Sequence, residues 1–210
     1  MNKIISLFSI ISILCCFISC SKDTKVADPY SDWETRNSIY LDSIISVCKN
    51  PPVGEQWESY VNYKLWNDNQ GITTVWGATD FVYMKKLPYD ENNPTQELGI
   101  SPMGTDSVFI HYCGRLINGT TFDQSYYGDW EAEVDEPIGV VLTNLITGWA
   151  TALLHMKEGE RAEIYIPYNM GYGTEVFQAV PGYSTLIFDV RLEKVKHPTG
   201  PDDRLLKRLK

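Results

Sequence analysis

The side chains that most often perform acid–base or metal chemistry are few and scattered in this sequence. His111, His155 and His197 are too far apart in the chain to suggest a metal site or a catalytic triad. The acidic run over residues 129–136 carries enough charge for calcium, but Val134 stands where a calcium loop needs glycine. A solvated loop is therefore favoured for this run, and the sequence predicts no metal and no cofactor.

Aromatic side chains are far more plentiful, with 13 Tyr, 6 Trp and 7 Phe among 210 residues. Aromatic rings offer a large contact area at low conformational cost, which suits either a core or a surface that binds peptides. Most of them are expected to lie in the core. The net charge of −9 argues against nucleic acid as a partner, because a phosphate-binding face needs concentrated Lys and Arg.

The N-terminal residues have the features of an export signal. Residues 1–19 combine Lys3 with an apolar run and a small residue before Cys20, as a secretory signal does. The run is shorter than the ~20 residues that span a bilayer as a helix, so a permanent membrane helix is the weaker interpretation. Residues 17–20 resemble a bacterial lipobox. This implies that Cys20 is acylated and anchors the protein in the cell envelope, at the periplasmic or surface face of the outer membrane.

The next residues connect this anchor to a folded domain. Residues 20–32 are small, polar and charged, as in a tether. Apolar residues at spacings of three and four between Trp33 and Cys48 predict an amphipathic helix, which either docks on its own domain, the more common outcome, or pairs with another chain. Residues 57–65 could continue helically, so residues 33–75 are predicted as an N-terminal helical extension.

From residue 76 to residue 196 the pattern changes to short strands and turns. Asn118-Gly119 is a strong hairpin signal, because both turn positions favour positive φ. Gly148 to Met156 has the spacing of one short helix. Strands are predicted where apolar residues alternate, at residues 107–116, 161–167 and 185–195. These elements predict an α+β domain, followed by a flexible tail at residues 197–210.

Only Cys48 and Cys113 remain once the signal and the lipid-bearing cysteine are set aside. They could pair in an oxidising compartment. Sequence alone cannot place them within bonding distance, so two unpaired, buried thiols are favoured.

Four segments occur in the order of a known family. They read FIHYCGRLINGTTFD at residues 109–123, LTNLITGWATALLHMKEGERAEIYIP at 142–167, GYG at 171–173 and PGYSTLIFDVRLEKV at 181–195. Together they resemble the FKBP family of peptidyl-prolyl cis/trans isomerases, and the second and third are similar to its bacterial macrophage infectivity potentiator branch. Each motif alone is weak, whereas four in order are specific.

The resemblance implies a twisted antiparallel sheet that forms a half-barrel around one short helix, with an apolar pocket between them. Carried over position by position, it places catalytic roles on Tyr112, Asp123 and Tyr172. The implied substrate-binding residues are Phe122, Ile138, Leu145, Ile146, Trp149, Val180 and Phe188. Ala179 stands where the family often has a bulky aliphatic residue, which would thin one wall. Ile138 and Val140 stand where aromatic residues are common in the family. The segment at residues 126–137 looks inserted and could cover or reshape the cleft.

The resemblance further implies isomerisation of X–Pro bonds in exported proteins, with proline-containing segments as substrates and a macrolide as a candidate ligand. A non-catalytic module that holds a hydrophobic peptide is the second hypothesis. A third makes the helix at residues 33–48 a dimerisation element. Trp149, Phe122 and Phe188 could also be plain core residues, and Asp123 could serve only to cap a turn.

Overall fold

The computed structural model describes residues 28–68, 75–89, 97–131 and 134–198. The predicted signal, Cys20, most of the tether and the tail beyond residue 198 lie outside the described residues. The helices are α1 (Trp33–Lys49), α2 (Tyr63–Asp68) and α3 (Thr147–Leu153). The strands are β1 (Gln56–Val61), β2 (Phe81–Leu87), β3 (Ser107–Arg115), β4 (Thr121–Gln124), β5 (Ile138–Val141), β6 (Glu160–Ile166) and β7 (Leu186–Lys196). Within these described ranges, no helix is both long enough and apolar enough to cross a bilayer.

All seven strands join one antiparallel sheet in the order β1-β2-β6-β7-β3-β4, and β5 also pairs with β3. The longest strands, β3 and β7, lie side by side near the centre of the sheet. The chain turns between β3 and β4 at Asn118 and Gly119, as predicted, and the Gly119 N–H donates to the Leu116 carbonyl at 2.9 Å. Only Gly119 has positive φ, at +83°, so the expectation of positive φ at both turn positions is wrong for Asn118. The predicted α+β fold, a twisted antiparallel sheet with one short helix and an N-terminal helix, is confirmed.

The two faces of the sheet are covered by different helices. Successive residues of a strand point to opposite faces, so neighbouring positions in the register sort themselves by face. Met84, Ile164 and Phe188 are aligned across β2, β6 and β7 and belong to the core cluster that contains α3. The adjacent row, formed by Tyr83, Tyr165 and Ile187, belongs to the cluster beneath α1. The chain therefore has a layer of helix on each side of its sheet.

Helix α1 docks on its own domain, as the amphipathic pattern predicts. Its buried residues are Trp33, Asn37, Leu41 and Ile44, which recur every three or four positions along one face. Leu41 and Ile44 pack against the tyrosine row of the sheet, and Trp33 joins the main core. Tyr30 also packs on Trp33 edge to face, with ring centroids 5.1 Å apart, so ordered packing begins inside the predicted tether.

The helical continuation predicted for residues 57–65 is wrong over Gln56–Val61, which form β1 on the open edge of β2. Trp57 and Tyr60 are three residues apart, a spacing that fits one helical face. In a strand, residues three apart point to opposite faces. Trp57 stacks on Tyr165 under α1, and Tyr60 stacks on His155 on the α3 side. Because both faces of the sheet are covered, both rings are packed although residues 56–61 form a strand and not a helix.

The segment after β4 lies partly on the outer face of the sheet, which is the face opposite α3. Tyr126 and Trp130 pack against His111, and the Arg191 guanidinium lies 4.1 Å from the Trp130 ring centroid. His111 faces away from the side on which its neighbour Tyr112 lies. The expectation that this segment could cover the cleft is therefore wrong for these two side chains, which instead cover the buried His111 and Arg191 on the outer face.

The two cysteines of the folded region are unpaired, as predicted. Both are half-buried rather than fully buried. Burial is the main cause that raises the pKa of the Cys48 thiol.

Candidate functional site

A cleft of about 330 Å³ opens between α3 and the α3-facing side of the sheet. Its walls come from β3, β4, β5 and β7, the turn before α3, and the loop after β6. The lining residues are Ile110, Tyr112, Asp123, Ile138, Val140, Asn144, Leu145, Ile146, Trp149, Tyr172, Phe177 and Phe188. Eight of the ten site residues implied by the resemblance therefore meet at one cleft, from positions up to 76 residues apart in the chain.

The floor of the cleft is a set of perpendicular aromatic rings. Trp149 is 5% exposed and meets Tyr112 and Phe188 edge to face, with centroids 5.0 and 4.8 Å apart. Such contacts place the positive edge of one ring against the negative face of another and add to the burial energy. The buried indole N–H of Trp149 has no hydrogen-bond partner among the described residues. The floor is thus a closely packed and largely apolar aromatic surface.

Tyr112 and Asp123 form the most polar part of the site. They lie on the adjacent strands β3 and β4, and the Tyr112 hydroxyl donates to Asp123 Oδ2 at 2.9 Å. Burial, followed by this hydrogen bond, raises the pKa of Tyr112 above its usual range. The phenol therefore stays protonated at neutral pH and keeps donating. Because the hydroxyl occupies one lone pair of the carboxylate, the rest of the Asp123 acceptor capacity is available to a ligand.

The wall opposite this pair contains a residue that the sequence did not reveal. The Phe177 ring stacks on the Tyr172 ring, with centroids 4.4 Å apart and planes 12° from parallel. Phe177 lines the cleft and is 45% exposed. Burial, followed by the charge of Asp123, raises the pKa of Tyr172. An aromatic residue five positions after Tyr172 in a loop was the available signal, and it fills the wall that Ala179 was expected to leave thin.

Two implied residues do not line the cleft directly. Phe122 meets Phe188 and Tyr172 edge to face, with centroids 5.4 and 6.5 Å apart, and so supports the lining from behind. Val180 is 2% exposed and bridges to Phe177 through two backbone hydrogen bonds of 2.9 Å. Their contact with a ligand therefore stays a prediction of the resemblance: Val180 belongs to the buried core cluster, and Phe177 lies on the wall of the cleft.

Close packing explains two glycines of the motifs. A Cβ placed on Gly114 of β3 would lie 2.6 Å from the Phe188 ring and 2.9 Å from the Phe122 ring. A Cβ placed on Gly148 of α3 would lie 2.2 Å from Ile166 Cγ2. Real Cβ atoms need more than 3 Å, so only glycine lets the aromatic cluster and the helix approach the sheet so closely. The cleft depends on both approaches.

The chemistry that this arrangement can support is binding and reshaping of an apolar group. No group of three His, Cys, Asp or Glu that could hold a metal occurs in the described ranges. The lining offers hydrophobic surface, one tyrosine–carboxylate pair and a second phenol. An apolar cavity with a few convergent polar groups is typical of a site that orients a small hydrophobic ligand.

Comparison with known proteins supports the family suggested by the motifs. Residues 99–193 match the model of the FKBP-type peptidyl-prolyl cis-trans isomerase family. The chain is 39% identical over 90 residues to the FKBP-type isomerase FkpA of Buchnera aphidicola subsp. Schizaphis graminum, which is 43% of this chain and 33% of the relative. It is 42% identical over 99 residues to the peptidyl-prolyl cis-trans isomerase Mip of Coxiella burnetii, which is 47% of this chain and 40% of the relative.

A crystal structure of a peptidyl-prolyl cis-trans isomerase from Pseudomonas syringae pv. tomato has the same fold, with a TM-score of 0.53 at 21% identity. That match covers 81% of this chain and 98% of the other. The chain spans only 33% and 40% of the length of the two curated relatives. The family match at residues 99–193 contains every residue that lines the cleft.

Proposed function

We propose that this chain, whose residues 99–193 match the FKBP-type isomerase family, is a peptidyl-prolyl cis/trans isomerase that acts at the cleft floored by Trp149. One observation carries the proposal: Trp149, Tyr172 and the Tyr112–Asp123 pair line a single apolar cleft. The relatives named above are isomerases of this type. The proposed substrates are proline-containing polypeptide segments.

Desolvation is the physical basis of the proposed catalysis. An X–Pro bond rotates over a barrier of ~18–20 kcal/mol because amide resonance keeps it planar. The resonance is broken in the twisted transition state, so the carbonyl carries less charge separation there. A water-poor cleft such as this one disfavours the planar, more polar amide more than the twisted form. The reaction then needs no nucleophile and no general base.

The polar groups at the rim have positioning roles in this proposal. The Tyr172 phenol, protonated at neutral pH, would donate to a substrate carbonyl beside the proline. The Asp123 carboxylate, already bound by Tyr112, would face the carbonyl that rotates. Holding the flanking peptide while the imide turns applies remote binding energy to the transition state. The Trp149 face would support the proline ring.

Proline-limited refolding of a model protein tests the proposal. The full chain, purified in mild detergent, is expected to accelerate the slow refolding phase. Tyr172→Phe and Asp123→Ala are expected to lose most of that acceleration while unfolding at nearly the wild-type urea concentration. Gly104→Ala is a suitable control because nothing lies within 4 Å of the added methyl group. No acceleration by the wild-type protein would overturn the assignment.

A binding module without turnover is the second candidate, and the aliphatic wall favours it. Ile138 and Val140 line the cleft at positions where the resemblance expects aromatic residues. Titrations with a proline peptide and with a macrolide immunosuppressant separate the two candidates. Micromolar binding by both ligands without faster refolding would support the module. Binding accompanied by faster refolding would support the isomerase.

The proposed setting is the cell envelope. A lipid on Cys20 would anchor the protein at the outer membrane, and the isomerase would assist the folding of exported proteins there. The signal-like run and the lipobox-like residues 17–20 support this part of the proposal. Metabolic labelling with a palmitate analogue, compared with a Cys20→Ala variant, tests it. Equal labelling of the two proteins would refute the anchor.

A further inference from the structure

The loop at residues 173–183, called the flap here, carries Phe177 and closes on itself. Its ends meet where the Tyr183 N–H donates to the Gly173 carbonyl at 2.9 Å. Its tip is the two-residue turn between Phe177 and Val180. A Cβ on Gly182 would lie 1.9 Å from the Thr174 carbonyl oxygen, so the two legs of the flap touch. The flap is therefore bonded to itself at its base and at its tip.

The base of the flap is held by α1. Ser184 Oγ accepts a hydrogen bond from the Trp33 indole at 2.8 Å and donates to the Pro181 carbonyl at 2.6 Å. One residue further on, the Thr185 N–H donates to Asn37 Oδ1 at 2.7 Å. Asn37 Nδ2 in turn donates to the Trp33 carbonyl at 2.8 Å. Two adjacent residues at the flap base are thus tied to two residues on one face of α1.

Burial makes these bonds consequential. Trp33, Asn37, Ser184 and Thr185 are between 2% and 6% exposed. A buried amide or hydroxyl without a hydrogen-bond partner has lost its hydration without compensation. Displacing the helix would therefore cost free energy at each of these bonds. Asn37 is a polar residue on an otherwise apolar helix face, a position it can hold because both ends of its side chain are bonded.

Backbone strain is concentrated in the same place. Among the described residues, three non-glycine residues have positive φ: Asp32 at 52°, Gln178 at 50° and Tyr183 at 61°. Two of them lie in the flap, and the third immediately precedes Trp33. Such conformations are unfavourable and persist where surrounding contacts hold them. The flap therefore depends on its base more than an unstrained loop would.

We propose that Trp33 and Asn37 are positioning residues of the cleft: by fixing the base of the flap, they hold Phe177 against Tyr172 where a proline peptide packs. The proposal rests on the proposed function of the cleft. Trp33 and Asn37 lie outside residues 99–193, so this support is an addition to the part of the chain that matches the family. The N-terminal helix then completes the substrate site rather than extending the domain.

Two independent variants and one matched control test this role in the full chain. Trp33→Phe removes the indole donor to Ser184 and leaves the Ser184–Pro181 bond inside the flap in place, and Asn37→Ala removes the partner of the Thr185 N–H. Ile44→Ala is the control. Ile44 packs the same helix on the tyrosine row, whereas the hydrogen bonds to the flap base come from Trp33 and Asn37. All three loosen α1, but only the first two release the flap.

Amide hydrogen exchange is the first measurement, and it does not depend on catalysis. Either test variant is expected to speed exchange at Phe177, Val180 and Tyr183 roughly tenfold beyond the change at core amides. Ile44→Ala is expected to change flap and core amides together. Equal flap and core changes in all three variants would overturn the proposal, whether or not the protein is an isomerase.

Isomerase kinetics are the second measurement. The test variants are expected to raise KM for a proline peptide roughly three- to tenfold with little change in kcat, because the wall that packs the peptide is displaced. The control is expected to keep the wild-type KM. A wild-type protein without isomerase activity would refute the proposed function, and the exchange measurement would then decide the role of the flap base by itself. A wild-type KM in both test variants, with full activity, would refute positioning.

Discussion

Replacing Gly148 by alanine tests whether the close approach of α3 to the sheet sets the geometry of the cleft. Gly148 is the second residue of α3 and directly precedes Trp149. A Cβ at this position would lie 2.2 Å from Ile166 Cγ2 and 3.1 Å from Ile166 Cγ1. Ile166 is fully buried in β6, and a branched γ-carbon cannot swing away as the end of a long side chain can. The helix or the strand must therefore move.

Two opposing effects set the magnitude. Alanine in place of glycine stabilises a helix by about 1 kcal/mol. Overpacking a core costs about 1–3 kcal/mol, and an overlap of more than 1 Å with an immobile group belongs at the upper end. The expected net loss is about 2 kcal/mol in the free energy of unfolding. With a slope of about 2 kcal/mol per molar urea, the unfolding midpoint should fall by about 1 M.

Urea unfolding followed by tryptophan fluorescence measures this shift, with Gly104→Ala as the control. Ile166→Leu removes the second γ-carbon at nearly constant volume, so it is expected to recover most of the loss in the double variant. Ile166→Val keeps both γ-carbons and is expected to recover none. The reasoning is refuted if Gly148→Ala unfolds at the same urea concentration as Gly104→Ala, or if valine rescues as well as leucine.

Three further outcomes are expected. Phe177→Ala should weaken binding of a proline peptide roughly fivefold in a fluorescence titration, because apolar contact area worth about 1 kcal/mol is lost from the wall, whereas Phe177→Leu keeps most of that area and should retain most of the affinity. Tyr112→Phe should lower the catalysed refolding rate roughly fivefold with less than about 1 kcal/mol lost in stability, because only the bond to the exposed Asp123 is removed; an unchanged rate would exclude that bond from catalysis. Burial lowers the pKa of His111, so the unfolded chain binds a proton more readily and stability should fall as pH drops through about 6.5. Urea unfolding at pH 8 and pH 5.5 should show this fall, and His111→Gln should reduce it; an identical slope would show that His111 is not its source.

Local patterns in the sequence were enough to predict the elements on which the fold depends. Alternation over β3, β6 and β7, the Asn118-Gly119 turn and the short helix before Gly159 are each encoded within about ten residues. The order of the four motifs then placed Tyr112, Asp123 and Trp149 together, because motifs that are far apart in sequence share a known arrangement. Eight of the ten implied residues do line one cleft.

Spacing alone misled where one pattern fits two structures. Trp57 and Tyr60 have a helical interval, yet they lie in β1 because the edge of β2 was open and both faces of the sheet are covered. The segment after β4 was expected near the cleft, but Tyr126 and Trp130 lie over His111 on the outer face. A strand reverses the face of its side chains at every residue, so only the register decides which side is covered.

The amino-acid sequence by itself determined the strands, the short helix, the amphipathic N-terminal helix and the family pattern of the cleft, since each depends on residues near one another in the chain. Only the tertiary structure decided that Phe177 lies on the wall of the cleft and that α1 holds the flap. The bonds from Trp33 to Ser184 and from Thr185 to Asn37 join residues 151 and 148 positions apart. No local periodicity encodes such contacts, because they form only after the sheet has brought the two ends of the domain together.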